Sequence, residues 1–363
     1  MLFMRFPYKN TRIVVGMSGG VDSSVVACLL QQQGAQVIGM TICFSLPESR
    51  TRRPRCCGLQ GIEDARRVCQ QLGIPHYVVP LQETLEQEVI QEFCQEYAHG
   101  RTPNPCVRCN QFIKFGALLD KARALDAAYL ATGHYARRQQ SVRGVFKLQK
   151  AADQLKDQSY FLYRLSQKQL AHILFPLGEF TKKQVRLVAR AQGLAVAEKQ
   201  ESQEICFIPR DNYREFLADR IGAHIKRGDF VDGQGRVLGR HQGVAFYTIG
   251  QRQGLGIAAA HPLYVVAIDA GRNTIILGKK EDCMRDGCLV SDMHWVHKPI
   301  EKKIALQVKI RYNHPGVTAS VFPQKDSLRV VFKEPQFAVT PGQSAVLYRT
   351  DVVVGGGIIL QSF

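Results

Sequence analysis

The sequence predicts an α/β fold, in which an N-terminal doubly wound parallel sheet is followed by two smaller, mostly-β modules. From residue 11 to about 140, β-branched runs alternate with amphipathic helical runs, which is typical of βαβ units. A glycine-rich turn joins the first of these strands to the first helix. Residues 228–363 are short alternating runs of Val, Ile, Thr, Tyr and Phe between Gly and Pro turns, which indicates all-β structure. We expect domains at 1–210, 211–280 and 281–363.

Hydrophobic periodicity predicts the individual elements of the chain. Strands are predicted at 13–17, 36–42, 76–80 and 129–132, with a short one at 205–208. Helices are predicted at 23–33, 62–72, 85–97, 111–125, 166–174 and 182–192. The two β modules are expected to divide near residues 279–286.

Composition restricts the class of protein. A chain of 363 residues is too long to fold around one typical hydrophobic core, so two or three domains are expected. No apolar run approaches the roughly 18 residues that a membrane helix needs, so no membrane partner is expected. The formal charge of +17 favours a polyanionic partner. With an N-terminus too short for a secretory signal, the eleven cysteines are expected to be reduced, which predicts a cytoplasmic protein.

The first motif, at residues 16–24, reads Gly-Met-Ser-Gly-Gly-Val-Asp-Ser-Ser. A glycine-rich turn at a helix N-terminus exposes backbone N–H groups to an anion, so the motif predicts a phosphate site. Asp22 is the expected contact for Mg²⁺. The alternative is an ordinary strand-to-helix turn with a polar cap. The spacing differs from the Gly-x-x-x-x-Gly-Lys-Ser/Thr loop of kinases and GTPases.

Two further motifs contain cysteine. Cys106-Val-Arg-Cys109 follows two prolines, which exclude a helix before Cys106. Cys109 is therefore expected near a helix N-terminus, where Arg108 and Lys114 would lower its thiol pKa. A redox pair, half of a metal site and chance are all open interpretations of Cys-x-x-Cys. Cys206, in an apolar run, taken alone is typical of a core residue.

The loop at 16–24 resembles the PP-loop of the Rossmann-like ATP pyrophosphatase superfamily, which activates substrates by adenylation. With the cysteine motifs and several longer strings, nearly the whole chain resembles the tRNA-specific 2-thiouridylase family. The strings include Gly-Ile-Glu-Asp-Ala at 61–65 after Cys57, residues 100–110, Ile-Lys-Phe at 113–115, Ala-Thr-Gly-His-Tyr at 131–135, Lys-Asp-Gln-Ser-Tyr-Phe-Leu at 156–162, Gly-Gln-Arg-Gln-Gly-Leu-Gly at 250–256, Arg-Tyr at 311–312 and Thr-Pro-Gly-Gln-Ser-Ala at 340–345.

The resemblance implies roles for residues at matching positions. The catalytic cysteines would be Cys109 and Cys206. The ATP contacts would be Gly16, Met17, Ser18, Gly19, Gly20, Val21, Asp22, Ser23, Ile42 and Gly133. The target base would be met by Asn104, Pro105 and Cys106. The tRNA contacts would be His134, Lys156, Asp157, Gln158, Arg311, Tyr312 and Gln343.

The implied reaction replaces the C2 oxygen of the wobble uridine by sulfur, with ATP and Mg²⁺. Sulfur would come from a sulfur carrier or cysteine desulfurase as a persulfide on Cys206, and Cys109 would release the product by forming a disulfide with Cys206. Some family members carry Asp at the position of Cys106. An alternative is therefore a 4Fe–4S cluster on Cys106, Cys109 and Cys206.

Three less favoured interpretations stay open. A zinc site would use Cys56, Cys57, Cys106 and Cys109, although adjacent cysteines rarely both bind one ion. A PP-loop ligase acting on a small metabolite would need neither paired cysteines nor the positive charge. A non-catalytic RNA-binding protein would have no need of an intact phosphate loop.

Overall fold

The computed structural model describes residues 8–44, 59–200, 205–208 and 212–363. The chain divides into two compact units. The first contains Met1–Glu88, Cys106–Phe207 and Asp351–Val353, and the second contains Val89–Pro105, Ile208–Thr350 and Val354–Phe363.

The first unit is built on a five-stranded parallel sheet with the order β3-β2-β1-β4-β7, which confirms the predicted fold class. Ile13, Val14 and Val15 of the central strand are fully buried. Its strands, with the hairpin β5–β6, are β1 (Arg12–Gly16), β2 (Gln36–Cys43), β3 (His76–Pro80), β4 (Tyr129–Ala131), β5 (Arg137–Gln140), β6 (Phe146–Gln149) and β7 (Ile173–Leu174).

The helices follow the predicted order with shifted ends, and two of them contain π-helical segments. The π-helical segments are Glu86–Ile90, between α3 and α4, and Cys109–Ala117, between α5 and α6. The α-helices are α1 (Val21–Gln32), α2 (Leu59–Leu72), α3 (Gln82–Leu85), α4 (Gln91–Ala98), α5 (Pro105–Arg108), α6 (Leu118–Ala124), α7 (Gln167–Leu170), α8 (Lys182–Ala191) and α9 (Tyr213–Ile221). Short 3₁₀ turns lie at Ser159–Leu162, Gly222–His224, Val244–Phe246 and Glu281–Cys283.

Three local predictions were wrong. The predicted helix 166–174 ends at Leu170, because Ile173–Leu174 pairs with β4 at the edge of the sheet. The predicted strand at 205–208 is a turn, with Phe207 and Ile208 buried and Cys206 exposed. The helix expected from residue 111 begins at Pro105, since proline is well suited to a first helical position.

The second unit is rich in β structure, as predicted. One four-stranded sheet has the order β10-β11-β8-β9. In the remainder, β12 pairs with both β15 and β17, so that six antiparallel strands close into a barrel around buried apolar residues such as Val308, Val321 and Val330. The strands are β8 (Gly228–Val231), β9 (Val237–His241), β10 (Tyr264–Asp269), β11 (Thr274–Gly278), β12 (Met284–Trp295), β13 (Ile304–Lys309), β14 (Val317–Pro323), β15 (Leu328–Phe337), β16 (Ser344–Arg349) and β17 (Val352–Ser362).

Among the described residues, no helix combines the length and the apolar character that a membrane crossing requires.

Candidate active site

The loop between β1 and α1 has the backbone geometry of an anion site. Gly20 occupies the N-cap of α1 without a side-chain cap, and the first-turn amides of a helix have no intrahelical acceptor. The hydroxyl of Ser23 bonds the amide of Ser18 at 3.2 Å and the Gly20 carbonyl at 3.2 Å, which fixes the curve of the loop. The loop can therefore offer backbone donors and a helix dipole to a phosphate.

Two glycines allow the chain to approach this loop closely. Gly19 has a φ of +69°, and any side chain there would collide with the carbonyl of Gly61. A Cβ on Gly133, beyond the end of β4, would lie 2.9 Å from Asp22 Cβ and 3.0 Å from the amide of Ser23. Gly133 thus lies against the start of α1, and its contact with the nucleotide stays a prediction. Ile42 is half-buried near the end of β2.

Asp22, the second residue of α1, is bound on two sides. Lys182 Nζ lies 2.8 Å from each carboxylate oxygen of Asp22. The hydroxyl of Tyr135 donates to Oδ1 at 2.8 Å. An Asp carboxylate is a suitable oxygen ligand for Mg²⁺, so Asp22 would contact the metal that accompanies ATP.

A second lysine contacts the loop from the other side. Lys199 Nζ donates to the Gly19 carbonyl at 2.9 Å and to Asp64 Oδ2 at 2.6 Å. The hydrogen bond from Lys199 holds the pKa of Asp64 below its usual value. Lys199 therefore connects α2 to the phosphate loop.

The structure brings Cys106, Cys109 and Cys206 close enough for their charges to interact, although Cys109 and Cys206 lie 97 positions apart. Cys106 and Cys109 lie three residues apart at the start of one helix, so they share a face. The π-helical segment has more residues per turn than an α-helix, which brings Lys114, five residues after Cys109, towards the same face.

The expectation of a lowered Cys109 pKa was wrong. Burial raises the pKa of Cys109 to about 12 and that of Cys106 to about 11, and it raises the pKa of Cys206. Cys106 and Cys206 retain exposed surface, but protein surrounds their sulfur atoms closely enough to disfavour a thiolate. Lys114 is the cation that opposes this effect at all three sulfurs.

Arg108, the other cation expected beside Cys109, is directed elsewhere. Its Nε donates to the Glu88 carbonyl at 2.6 Å, and its guanidinium lies 4.9 Å from the centre of the Phe112 ring. Cys109 is also preceded by a helical turn and is buried, so the helix N-terminus does not stabilise its anion.

His134 is buried beside the cysteine helix. Burial and the neighbouring Lys114 ammonium hold the pKa of His134 well below its usual value, so the ring is neutral. Lys114 Nζ lies 3.4 Å from His134 Nε2, and an ammonium can only donate. His134 Nδ1 consequently donates to Thr132 Oγ1 at 2.8 Å. The predicted tRNA contact of His134 would have to be made at this enclosed position.

The predicted tRNA-contacting stretch at 156–158 is a shaped loop in the first unit. The buried carboxylate of Asp157 accepts from the amides of Ala151 and Ser159, at 3.1 and 3.2 Å. Gln158 Oε1 accepts from the amide of Tyr135 at 3.0 Å. Asp157 and Gln158 are thus engaged in shaping the loop, while Lys156 is half-buried.

In the second unit, Gln343 Nε2 donates to the carbonyls of Thr102 and Pro103, at 3.0 and 3.1 Å. Gln343 therefore positions the chain that leads into the predicted base-contacting residues, of which Asn104 is half-buried and Pro105 is buried.

Arg311 and Tyr312 lie after β13, also in the second unit. Arg311 Nη1 donates to the Phe337 carbonyl at 3.0 Å, and Lys309 Nζ lies 5.8 Å from the centre of the Tyr312 ring. Both predicted tRNA contacts are half-buried.

The described residues bear on the two metal alternatives only in part. Within the described part of the chain, no three His, Cys, Asp or Glu side chains are arranged to hold a metal ion. Cys106, Cys109 and Cys206 lie near one another without forming a site for a single metal ion, and the 4Fe–4S alternative, whose ligands bind separate irons, stays a prediction. Cys56 and Cys57, which the zinc alternative needs, lie outside the described residues.

Sequence reasoning assigned no role to Lys182, Lys199 or Tyr135. The sequence did contain one signal for Lys182. A lysine in the first turn of a helix faces the positive end of the helix dipole, which disfavours it there. Lys182 is the first residue of α8.

Comparisons with known proteins identify related families and chains. Three family models match consecutive parts of the chain. They are described as the tRNA methyl transferase HUP domain at residues 11–210, the tRNA methyl transferase PRC-barrel domain at 214–279 and the aminomethyltransferase beta-barrel domain at 285–359.

Curated relatives match over almost the whole length. The tRNA-specific 2-thiouridylase MnmA 1 of Syntrophus aciditrophicus is 49% identical over 96% of this chain and 92% of its own. The tRNA-specific 2-thiouridylase MnmA of Geobacter metallireducens is 51% identical over 96% of each chain. MnmA 1 of Caldanaerobacter subterraneus is 49% identical over 96% of this chain and 98% of its own.

Proposed function

The chain belongs to the tRNA-specific 2-thiouridylase family, and we propose that it uses ATP to replace the C2 oxygen of the tRNA wobble uridine by sulfur. The observation that supports this proposal is that Cys109 and Cys206 lie close enough for their charges to interact, in the unit that holds the phosphate loop. A ligase for a small metabolite would need the loop but not two convergent thiols.

In the first step, the loop of residues 16–23 would bind the ATP phosphates through its amides, and Asp22 would hold the Mg²⁺ that accompanies them and neutralises their charge. The uracil O2 attacks the α-phosphorus and pyrophosphate leaves. The weak leaving group at C2 is thereby converted to AMP. The Lys114 ammonium, on the cysteine helix, would provide positive charge near the activated base, and neutral His134 lies 3.4 Å from it.

In the second step, the terminal sulfur of a Cys206 persulfide attacks C2, and AMP leaves. Cys109 then attacks the Cys206 sulfur, which forms the Cys109–Cys206 disulfide and releases the 2-thiouridine. Because burial raises the pKa of Cys109 to about 12, the thiol is protonated at rest, and Lys114 favours the thiolate when it forms. An external reductant then restores both thiols.

The persulfide sulfur would come from a sulfur-carrier protein or a cysteine desulfurase, and the reaction would take place in the cytoplasm. Cys109 and Cys206 are both free thiols. A persulfide relay needs reduced cysteines, which a reducing compartment maintains.

Nucleoside mass spectrometry of tRNA tests the proposal. A strain that lacks the gene should lose 2-thiouridine derivatives at the wobble position and regain them with the wild-type gene. The purified protein should release pyrophosphate from ATP only when tRNA is present. Unchanged 2-thiouridine in the deletion strain, or pyrophosphate release with a small metabolite instead of tRNA, would contradict the proposal.

A further inference from the structure

We propose that Lys182 is a phosphate-binding residue of the ATP site, which Asp22 holds until ATP and its metal arrive. The inference rests on the proposed ATP site at residues 16–23, and it adds a residue that lies 160 positions beyond Asp22 in the chain.

Lys182 reaches the loop from α8, which packs against α1. Its ammonium lies 2.8 Å from both Asp22 carboxylate oxygens and 5.9 Å from the centre of the Tyr135 ring. The side chain of Lys182 is 12% exposed and that of Asp22 is 30% exposed. The pair therefore lies at the entrance to the helix N-terminus and retains access to solvent.

The charges at this position explain why a lysine is needed. A carboxylate in the first turn of α1 is stabilised by the helix dipole, but it repels an incoming polyphosphate. Lys182 cancels the Asp22 charge before ligand binds. If Asp22 held the metal that accompanies ATP, the Lys182 ammonium would exchange its carboxylate partner for the nearby phosphate oxygens. A Lys–phosphate contact is then the favoured arrangement.

Asp22 can release Lys182 without being left unpartnered. The hydroxyl of Tyr135 still donates to Asp22 Oδ1 at 2.8 Å. Lys199 differs in this respect, because its partner Asp64 has a side chain only 9% exposed and would lose its principal counter-charge. Of the two lysines at the loop, Lys182 is thus the one that can exchange partners.

The backbone of Lys182 is fixed, so the exchange requires only a side-chain rotation. Its amide donates to Asp153 Oδ2 at 2.9 Å. Thr181 and Gln184 form a capping box at the same helix end. The ammonium can thus reach only positions near the start of α1.

Calorimetric titration with three probes tests the assignment. ATP, AMP and adenosine are titrated in Mg²⁺ into wild type, Lys182→Met, Lys182→Arg and Lys183→Met. Lys183 is the exposed neighbour on α8 and serves as the matched control. We expect Lys182→Met to weaken ATP binding about 10- to 100-fold, the usual range for a charged hydrogen bond, and to change adenosine binding less than about twofold. Lys182→Arg should retain most ATP affinity, and Lys183→Met should match wild type.

Equal weakening of ATP and adenosine would show that Lys182 is only structural, and unchanged ATP affinity would equally overturn the assignment. Failure of wild type to bind ATP would instead contradict the proposed function. A second pair of variants removes the Asp22 charge, so that loss of Lys182 leaves no unpaired carboxylate. ATP binding to Asp22→Asn is compared with ATP binding to Asp22→Asn/Lys182→Met, in EDTA so that no metal takes part. Loss of Lys182 should weaken ATP binding about tenfold in this background, and equal affinities would also overturn the assignment.

Discussion

Lys199 and Asp64 form an ion pair of 2.6 Å, and the same ammonium donates to the Gly19 carbonyl at 2.9 Å. The pair thus fixes the one loop residue whose φ is positive, Gly19, against the start of α2. The shape of the phosphate loop consequently depends on a lysine 180 positions away.

Replacing Lys199 by Met should cost about 1–3 kcal/mol of stability, because Asp64 loses its principal donor. It should also weaken ATP binding, since Gly19 is no longer held. Urea unfolding and ATP titration measure the two effects, with Lys183→Met as a control for loss of surface charge. Wild-type stability together with wild-type ATP affinity would contradict the role of Lys199.

The same pair predicts a pH dependence. The hydrogen bond from Lys199 lowers the pKa of Asp64 in the folded state, so the pair stabilises the fold above the ordinary Asp pKa of about 4. This stabilisation is lost as the pH falls through the lowered value. Wild type should lose more stability than Lys199→Met between about pH 5 and pH 2, as measured by urea unfolding. Parallel curves would show that the pair does not contribute.

Asp22→Ala should abolish tRNA-dependent pyrophosphate release and leave the protein folded. The cost in stability should be about 1–2 kcal/mol, more than for an ordinary surface change, because Lys182 loses its carboxylate. Thermal unfolding and a pyrophosphate assay separate the two effects. A variant that releases pyrophosphate at the wild-type rate would refute the role of Asp22 in catalysis.

Binding of tRNA should weaken steeply with salt. If four to six phosphates are neutralised, the affinity should fall by roughly two to three orders of magnitude between 50 and 200 mM salt. Lys156→Gln and Arg311→Gln should each reduce the slope by about one unit, and Lys156→Arg should keep it. Filter binding over a salt series gives the slopes. A flat response would refute an electrostatic interface.

The sequence predicted the parallel sheet because β-branched runs alternate with amphipathic helical runs, and β3 was predicted with its observed ends. The cysteine motif can be read in the sequence, but the raised thiol pKa of Cys109 cannot. Burial of Cys109 arises from tertiary packing, which outweighs the nearby positive charge. The partners of Asp22 were also inaccessible to sequence reasoning, because Lys182 and Tyr135 come from distant helices and loops.

Replacing each of the three neighbouring cysteines by serine should reduce thiolation, although not all to the same extent. We expect Cys109→Ser and Cys206→Ser to abolish thiolation and to leave ATP and tRNA binding measurable, because one carries the sulfur and the other releases it. Under the persulfide relay Cys106→Ser should cause only a partial loss, because Cys106 would then only line the base pocket. Mass spectrometry of tRNA nucleosides after single-turnover reactions gives the extent of thiolation.

Alkylation by iodoacetamide gives an independent measure of the same sulfurs. The raised pKa values of Cys109 and Cys206 predict slow labelling at pH 7 and faster labelling as the pH rises, because only the thiolate reacts. Lys114→Met should move the labelling of both cysteines to still higher pH, while Lys121→Met, on the exposed side of α6, should not.

A null Cys106→Ser variant, together with stoichiometric iron in active wild type and loss of activity on chelation, would contradict the persulfide relay in favour of a cluster. If the relay operates, chelation leaves thiolation unchanged, and the Cys109–Cys206 disulfide accumulates with each turnover until a reductant is added.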